Sequence, residues 1–221
     1  MKKLLVLVGM IAIITVSAVQ FSFGAEKSSY VFYGFSDDLK YCAFETYGTY
    51  DGSGFPYSNI YFIEVDKNKF AANPVALTSQ NYNDLKRVRA ANMKKADSLF
   101  KKFKINKSNI GKLVINTPKD SHNCSFKINA KTYGLKLIEK KAGKSTFDYD
   151  TKIFDLKLVK PGNKETSLQK DTVLPKSRGE ALGYGIKSVY SKGNKVVVFV
   201  EYSKTGFEGP DYRQIAVTGK I

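Results

Sequence analysis

The sequence predicts a mainly β fold of the α+β kind, in which antiparallel sheets form a sandwich-like stack and one long amphipathic helix packs on them. The chain has 14 Tyr, 15 Phe and no Trp, and aromatic side chains fit the half-buried surface of a sheet. Short alternating segments are separated by turn residues, and a single long segment has helical periodicity. A length of 221 residues and a hydrophobic content of 43% suit one domain with a substantial core.

Three strands are predicted near the N-terminus, and they are joined tightly enough to be antiparallel. The alternation in the second strand places Cys42 and Phe44 on one face and Ala43 and Glu45 on the other. The predicted spans are Ser29–Phe35, Lys40–Gly48 and Ser58–Val65.

Residues 1–24 read as a signal peptide. Lys2 and Lys3 precede an almost wholly apolar run, Leu4–Val19, whose core is short for a membrane span. Small residues follow, and cleavage is expected after Gly24, so that residues 25–221 form a single secreted or periplasmic β-rich domain. The alternative is an uncleaved membrane anchor.

The chain is strongly basic, with a formal net charge of +16, and it stays so after Lys2 and Lys3 are removed. Such a charge favours encounters with anionic molecules. For an exported protein these are an anionic envelope component, such as a lipid headgroup or a glycan, or another envelope protein; nucleic acid is excluded by compartment. The favoured interpretation, however, is that the lysines reflect only solubility or the codon usage of the organism.

The two cysteines are predicted to point inward. A disulfide between Cys42 and Cys124 is possible in an oxidising compartment, but two free thiols are favoured. Together with the lone His122 they do not form a zinc site. The chain contains neither a P-loop nor a Rossmann glycine pattern, so no metal and no cofactor are predicted.

The helix is predicted over Asn81–Lys104, with Asn81 or Asn83 as its cap. Arg89 and Asn92 interrupt the apolar stripe, so part of it is expected to be wet or paired. The basic opposite face is expected to be solvated; the alternative is contact with an anionic membrane. The stripe consists of Tyr82, Leu85, Val88, Met93, Ala96, Leu99, Phe100 and Phe103.

The rest of the chain is predicted to return to strands. Residues 196–200 are apolar on both faces, which is typical of a central strand. Glu139–Ser145 is predicted to be a loop, and Lys164–Lys176 has little pattern. The expected strands are Lys112–Asn116, Cys124–Ile128, Thr132–Ile138, Ile153–Val159, Tyr184–Tyr190, Lys195–Tyr202 and Arg213–Val217.

Two loops of similar design, residues 54–57 and 206–212, place Gly and Phe before Pro and Tyr. A structural role explains the Gly and Pro, but not the nearby acids Asp51, Glu208 and Asp211. If the loops meet, these acids could bind a hard cation or a basic partner, or pair with Arg178 and Arg213. The candidate binding residues are Asp51, Phe55, Tyr57, Arg178, Phe207, Glu208, Asp211 and Tyr212.

The first hairpin resembles a repeat blade of the periplasmic Tol-type β-propellers. The resemblance rests on residues 35–38, 41–44, 60–61 and 65–66. A propeller needs at least about four blades, and a single copy is present, so a complete propeller is not expected.

A second resemblance extends over nearly the whole mature chain. Residues 51–57, Leu174-Pro175 with Ser177-Arg178-Gly179, and residues 206–211 are similar to a bacterial family of predicted secreted proteins of unknown function. The resemblance implies export and no assigned activity.

The sequence therefore predicts a non-catalytic, envelope-associated binding or interaction protein. The alternative is an envelope hydrolase that acts on a glycan through Asp51, Glu208 or Asp211. No catalytic residue is assigned, because Ser177 lacks a nucleophile-elbow setting and His122 has no evident partner. The two functions differ in one observable: a hydrolase needs convergent carboxylates in an open cleft.

Overall fold

The computed structural model describes residues 26–80, 84–118, 120–206 and 209–221. In chain order their elements are β1 (Ser29–Phe35), β2 (Tyr41–Thr49), β3 (Pro56–Glu64), β4 (Lys69–Phe70), β5 (Val75–Thr78), α1 (Leu85–Lys102), β6 (Lys112–Asn116), β7 (Asn123–Ile128), β8 (Lys131–Lys144), β9 (Asp150–Lys160), β10 (Lys164–Lys170), a 3-10 turn (Lys176–Arg178), β11 (Ala181–Lys192), β12 (Lys195–Lys204) and β13 (Asp211–Lys220).

The strands form three sheets, and neighbouring strands within each sheet are antiparallel. The first sheet has the order β1-β2-β3-β4, with β5 also paired to β3. The second has the order β10-β9-β8-β7, and the third the order β13-β12-β11-β6. The predicted mainly β, sandwich-like fold with one packed helix is confirmed.

Strand β12 lies at the centre of the stack. Val196, Val198 and Val200 join the core shared with the second sheet, whereas Val197 and Phe199 pack against the first sheet. Because successive side chains point to opposite faces, a run that is apolar at every position can bury both faces. The prediction of a central strand at residues 196–200 is confirmed.

Helix α1 covers the other face of the first sheet, so the layers run helix, first sheet, third sheet, second sheet. Ala96, Phe100 and Phe103 pack on Ala43 and on its neighbours Ile60 and Phe62. The cap is Asp84, whose side chain accepts from the backbone N–H of Lys86 at 2.9 Å. The predicted caps, Asn81 and Asn83, lie outside the described residues, as does Tyr82.

The polar residues that interrupt the helical stripe were expected to be wet or paired, and both form hydrogen bonds. Arg89 donates to both carboxylate oxygens of Glu45, at 3.0 and 2.8 Å, and Glu45 is fully buried. Tyr33 and Ser58 donate to the same carboxylate at 2.6 and 2.8 Å. Asn92 donates to the carbonyl and the hydroxyl of Ser58 at 3.0 and 2.8 Å. This network joins the helix to β2 and β3.

Two regions predicted to be irregular are strands. The predicted loop at Glu139–Ser145 is wrong, because β8 continues to Lys144 and pairs with β9. Ion pairs across the two strands, including Lys152 with Glu139 at 2.6 Å, replace the missing apolar pattern. Likewise Lys164–Lys170 forms edge strand β10, in which Glu165 bridges lysines of β8 and β9.

The predicted signal peptide lies outside the described residues. Within the part of the chain that the structure describes, no helix combines the length and apolar character needed to span a membrane. Both cysteines are free, with Cys42 in the core between the first and third sheets and Cys124 at the edge of the other core. The two cysteine side chains therefore pack in different cores.

Candidate functional site

A cleft of about 380 Å³ lies between the first sheet, the third sheet and the 3-10 turn. Four tyrosines and four basic residues stand out among its lining. The residues that line it are Phe44, Thr46, Tyr50, Tyr57, Asn59, Tyr61, Phe70, Lys176, Ser177, Arg178, Gly179, Tyr202, Lys204, Arg213, Gln214, Ile215 and Ala216.

The wall formed by the first sheet follows from strand alternation. Phe44 pairs in register with Tyr61, and Thr46 pairs with Asn59, so these side chains share one face of β2 and β3. The intervening residue of β2, Glu45, points to the helix instead. The same two strands therefore supply both the helix interface and the cleft wall.

Aromatic rings on this wall stack in a row that leads out of the cleft. The ring of Tyr61 lies between those of Phe44 and Phe70, with centroid distances of 4.7 and 5.7 Å. Phe44 is buried, whereas Phe70 is 60% exposed. A second stacked pair, Tyr50 and Tyr57, has a centroid distance of 4.4 Å. We call the row Phe44, Tyr61 and Phe70 the aromatic shelf.

Arg213 lies beside the second aromatic pair, and its charge is matched by the first described residue of the chain. Its guanidinium donates to both carboxylate oxygens of Glu26 and to the hydroxyl of Tyr57. The pKa of Tyr57 is raised, chiefly by burial. Backbone bonds between residues 26–28 and Tyr212 hold Glu26 in place, including Ser28 N–H to the Tyr212 carbonyl at 3.0 Å. Arg213 is therefore a neutralised part of the wall.

Arg178 is also matched by a carboxylate. It is buried, and its guanidinium donates to Asp171, at 3.0 Å for one bond, and to the Tyr184 hydroxyl at 3.2 Å. Burial acts to raise the pKa of Asp171, but hydrogen bonds from Arg178 and Gln169 outweigh it and hold that pKa below its usual value. The pair fixes the 3-10 turn and leaves Lys176 exposed at the rim.

Two lysines of the cleft lack a close carboxylate partner among the described residues. Among the described residues, Lys176 has no carboxylate within ion-pair distance. Lys204 lies 3.6 Å from Asp211, which is a loose pair. None of the described residues lining the cleft is Asp or Glu, so the cleft carries a surplus of positive charge.

The structure brings together only part of the predicted site. Tyr57 and Arg178 line the cleft. Asp51 lines a separate open groove with Glu26, and Tyr212 lines a third one.

The other predicted residues do not line the cleft. Phe55 is half-buried, and its carbonyl accepts from the Tyr50 N–H at 3.0 Å. Phe207 and Glu208 lie outside the described residues. The two loops nevertheless lead into neighbouring strands, because Tyr57 bonds to Arg213.

Asp211 is buried rather than presented at a surface. It is 6% exposed, and its Oδ1 has no hydrogen-bond partner among the described residues. Burial, and then the charge of Glu26, raises the pKa of its carboxyl. A Cβ at Gly206 would lie only 2.6 Å from Asp211 Oδ1, so the turn needs glycine there.

The two arginines have carboxylate partners that the sequence did not indicate. Arg178 pairs with Asp171, and Arg213 pairs with Glu26, while Asp211 is 3.9 Å from Arg213. Asp211 is therefore a weaker partner of Arg213 than Glu26 is. In the described part of the chain, no group of three or more His, Cys, Asp or Glu side chains is placed to hold a metal ion.

His122 has neighbours that the sequence did not reveal. Its Nδ1 is 3.3 Å from Ser121 Oγ, and its Nε2 is 3.8 Å from Glu139. The second distance exceeds a hydrogen bond, and Glu139 already accepts from Lys152 and from the N–H of Tyr184. The three side chains therefore do not form a nucleophile–base relay.

Sequence reasoning missed most of the cleft. Tyr61 and Tyr202 fell within predicted strands, and Tyr50, Lys176 and Lys204 were not singled out. The available signal was strand alternation, which puts Tyr61 on the same face as Phe44. Nothing local indicated that β3 and β12 would face each other.

Fold and cleft together define a β-sandwich protein with a basic, tyrosine-lined cleft. A family model described as "Predicted secreted protein (DUF2259)" matches residues 43–220, and the chain belongs to this family. The match spans every residue that lines the cleft. It confirms the resemblance to a secreted family of unknown function and gives no support to the propeller-blade resemblance. Among curated proteins, none matches the chain.

Proposed function

We propose that the protein is a non-catalytic, envelope-associated binding protein, and that the cleft binds an anionic envelope component. The proposal assumes cleavage after Gly24, so that a single domain of residues 25–221 acts in the periplasm or outside the cell. The observation that carries it is the surplus positive charge of the cleft. Lys176 and Lys204 face a space whose described lining contains no carboxylate.

The arrangement of the ion pairs supports this function. Arg178 and Arg213 are neutralised by Asp171 and Glu26, neither of which lines the cleft. A charged side chain with a buried partner contributes to the fold, and its removal is costly. A solvated lysine without a partner contributes little to stability and remains available for a ligand.

The hydrolase alternative finds less support. Glycoside hydrolysis needs two carboxyl groups about 5–9.5 Å apart on either side of one bond. Asp51 lines a separate groove, and Asp211 is buried without lining the cleft. Among the described residues, the acids named from sequence therefore do not converge on the cleft.

The test measures retention of polygalacturonate by immobilised mature protein. The double variant Lys176→Gln/Lys204→Gln is compared with Lys131→Gln/Lys192→Gln, which removes the same charge from exposed positions outside the cleft. We expect the cleft variant to bind at least about tenfold more weakly than the control, a difference of about 1.4 kcal/mol. The control should keep the wild-type free energy of unfolding to within about 0.5 kcal/mol, and the cleft variant to within about 1 kcal/mol, because Lys204 has a loose contact with the buried Asp211.

Two results would overturn the proposal. Equal weakening in both double variants would mean that the overall charge, and not the cleft, holds the polymer. Shortening of the polygalacturonate chains during incubation, measured by size-exclusion chromatography, would favour the hydrolase.

A further inference from the structure

The cleft combines surplus charge with the aromatic shelf, and the two features occupy different walls. The shelf belongs to the first sheet, whereas Lys204 belongs to β12 and Lys176 to the 3-10 turn. A ligand that used both walls would need an anionic group on one side and a flat apolar face on the other.

The exposed end of the shelf is not explained by the fold. Phe70 lies on the two-residue strand β4 and pairs with Ile63, yet it is 60% exposed. Tyr61 lies beneath it, and Phe44 closes the stack on the buried side. The shelf therefore presents an open ring face at the cleft mouth, within the same cavity as the lysines.

We infer that the ligand is an acidic saccharide, with one sugar ring stacked on the open face of Phe70, which Tyr61 supports from beneath, and its acidic group directed to Lys176 and Lys204. This inference rests on the proposed function and names the chemical class of its ligand. One face of a sugar ring carries C–H bonds, and the face of an aromatic ring is electron-rich, so the two attract each other. The acidic group forms charge-assisted hydrogen bonds with the ammonium groups.

The remaining lining fits sugar hydroxyls. Thr46, Asn59 and Ser177 offer hydroxyl and amide groups that can both donate and accept hydrogen bonds. The volume of about 380 Å³ lies near the lower end of ligand pockets, which run from about 300 to 1,000 Å³. The cleft therefore suits one or two rings of a longer chain.

Other anionic ligands use fewer of these features. A small inorganic anion needs only the ammonium groups and would leave the shelf uncovered. An acyl chain needs a continuous apolar channel, whereas Thr46, Asn59 and Gln214 place polar atoms in the cleft wall. The saccharide uses the charge, the polar groups and the open ring face together.

The experiment compares two probes of equal charge. Trigalacturonic acid and tricarballylate each carry three carboxylates, but only the first has sugar rings. Binding to the mature chain is measured by calorimetry and by tyrosine fluorescence, which is free of tryptophan signal because the chain has no Trp. We expect trigalacturonic acid to bind at least about tenfold more tightly.

Substitutions assign this difference to the shelf. Phe70→Ala should weaken the binding of trigalacturonic acid at least about fivefold and leave the binding of tricarballylate unchanged, because only the ring contact is lost. Phe147→Ala removes a similarly exposed phenylalanine, 65% exposed and outside the cleft, and should leave the affinity for both probes unchanged. Lys176→Gln should weaken both probes, because both need the ammonium group.

The outcomes separate this inference from the proposed function. If both probes bind equally and Phe70→Ala changes the affinity for neither, the proposed anion-binding function stands and the inference of a saccharide ligand is overturned. If neither probe binds the wild-type protein, the proposed function and the inference fall together. A loss of trigalacturonic acid binding in Phe70→Ala that Phe147→Ala does not share supports the inference.

Discussion

The two faces of the first sheet use charge in opposite ways. On the helix face, Glu45 is fully buried and accepts from Arg89, Tyr33 and Ser58. On the cleft face, two arginines have carboxylate partners, but Lys176 has none among the described residues. The comparison distinguishes charges that hold the layers together from charges that are free to meet a ligand.

The difference follows from solvation. A carboxylate without water must be satisfied by protein donors, so Glu45 has three. An exposed ammonium is already satisfied by water, so Lys176 does not need a partner for stability. Substitutions on the helix face should therefore change folding, and substitutions of the cleft lysines should change binding.

The largest expected effect is Arg89→Ala on the helix face. It leaves the buried Glu45 carboxylate without its cation, and we expect a loss of about 3–5 kcal/mol in the free energy of unfolding. Urea denaturation followed by circular dichroism measures it. The matched variant Arg87→Ala, at an exposed position 3.7 Å from Asp84, should lose under about 0.5 kcal/mol. Equal losses would show that Glu45 does not need Arg89.

Glu26→Ala should have the next largest effect. Arg213 loses its closer carboxylate partner but keeps the Tyr57 hydroxyl and the weaker contact with Asp211, so we expect a loss of about 2 kcal/mol in the free energy of unfolding. The freed charge should also increase polygalacturonate retention. Glu64→Ala makes the same charge change at a surface pair with Lys67, and it should change neither the free energy of unfolding nor the retention. Unchanged retention in Glu26→Ala would mean that Arg213 does not reach the ligand.

Asp171→Asn should reveal a pH-dependent contribution. The folded-state pKa of Asp171 lies below its unfolded value, so its stabilisation is present above about pH 4 and is lost as pH falls through the folded pKa. We expect the variant to be less stable than wild type by about 1–2 kcal/mol at pH 7. The gap should close toward pH 2 in urea titrations. A gap independent of pH would assign the loss to packing.

Asp211→Asn should have the smallest effect and the opposite sign. Burial raises the folded-state pKa of Asp211, so its ionisation destabilises the fold as pH rises through that value. The variant should therefore be slightly more stable at pH 7, by under about 1 kcal/mol, and equal to wild type at pH 3. Release of Lys204 should also raise anion binding. Lower stability at pH 7 would show that its contact with Lys204 outweighs the burial cost.

The sequence was sufficient for the elements whose pattern is local. Alternation placed Cys42 and Phe44 on one face of β2, and the doubly apolar run 196–200 indicated the central strand. Helical periodicity located α1, and its two interruptions, Arg89 and Asn92, are paired. In each case the physical signal lies within a few residues.

The features that the sequence did not predict, the second half of β8 and the cleft, depend on residues distant in sequence. The second half of β8 is polar because ion pairs with β9 replace an apolar face, and no local pattern encodes them. Predicting the cleft would have required knowing that β3 packs against β12, and the order of strands along the chain does not specify which sheets face each other. The site prediction followed the conspicuous Gly and Pro motifs, which shape turns, and found only Tyr57 and Arg178 of the cleft lining.

The first described residue carries a further consequence. Glu26 is 6% exposed, and Gln214 donates to the carbonyl of Ser28 at 2.9 Å, so the described chain is held in the fold from its first residue onward. An aminopeptidase that trimmed the chain past this residue would leave Arg213, next to the tyrosines of the cleft, with Asp211 at 3.9 Å in place of its bidentate carboxylate partner. Purified samples with ragged ends would then differ in both melting temperature and affinity, and mass spectrometry of the intact chain would sort them.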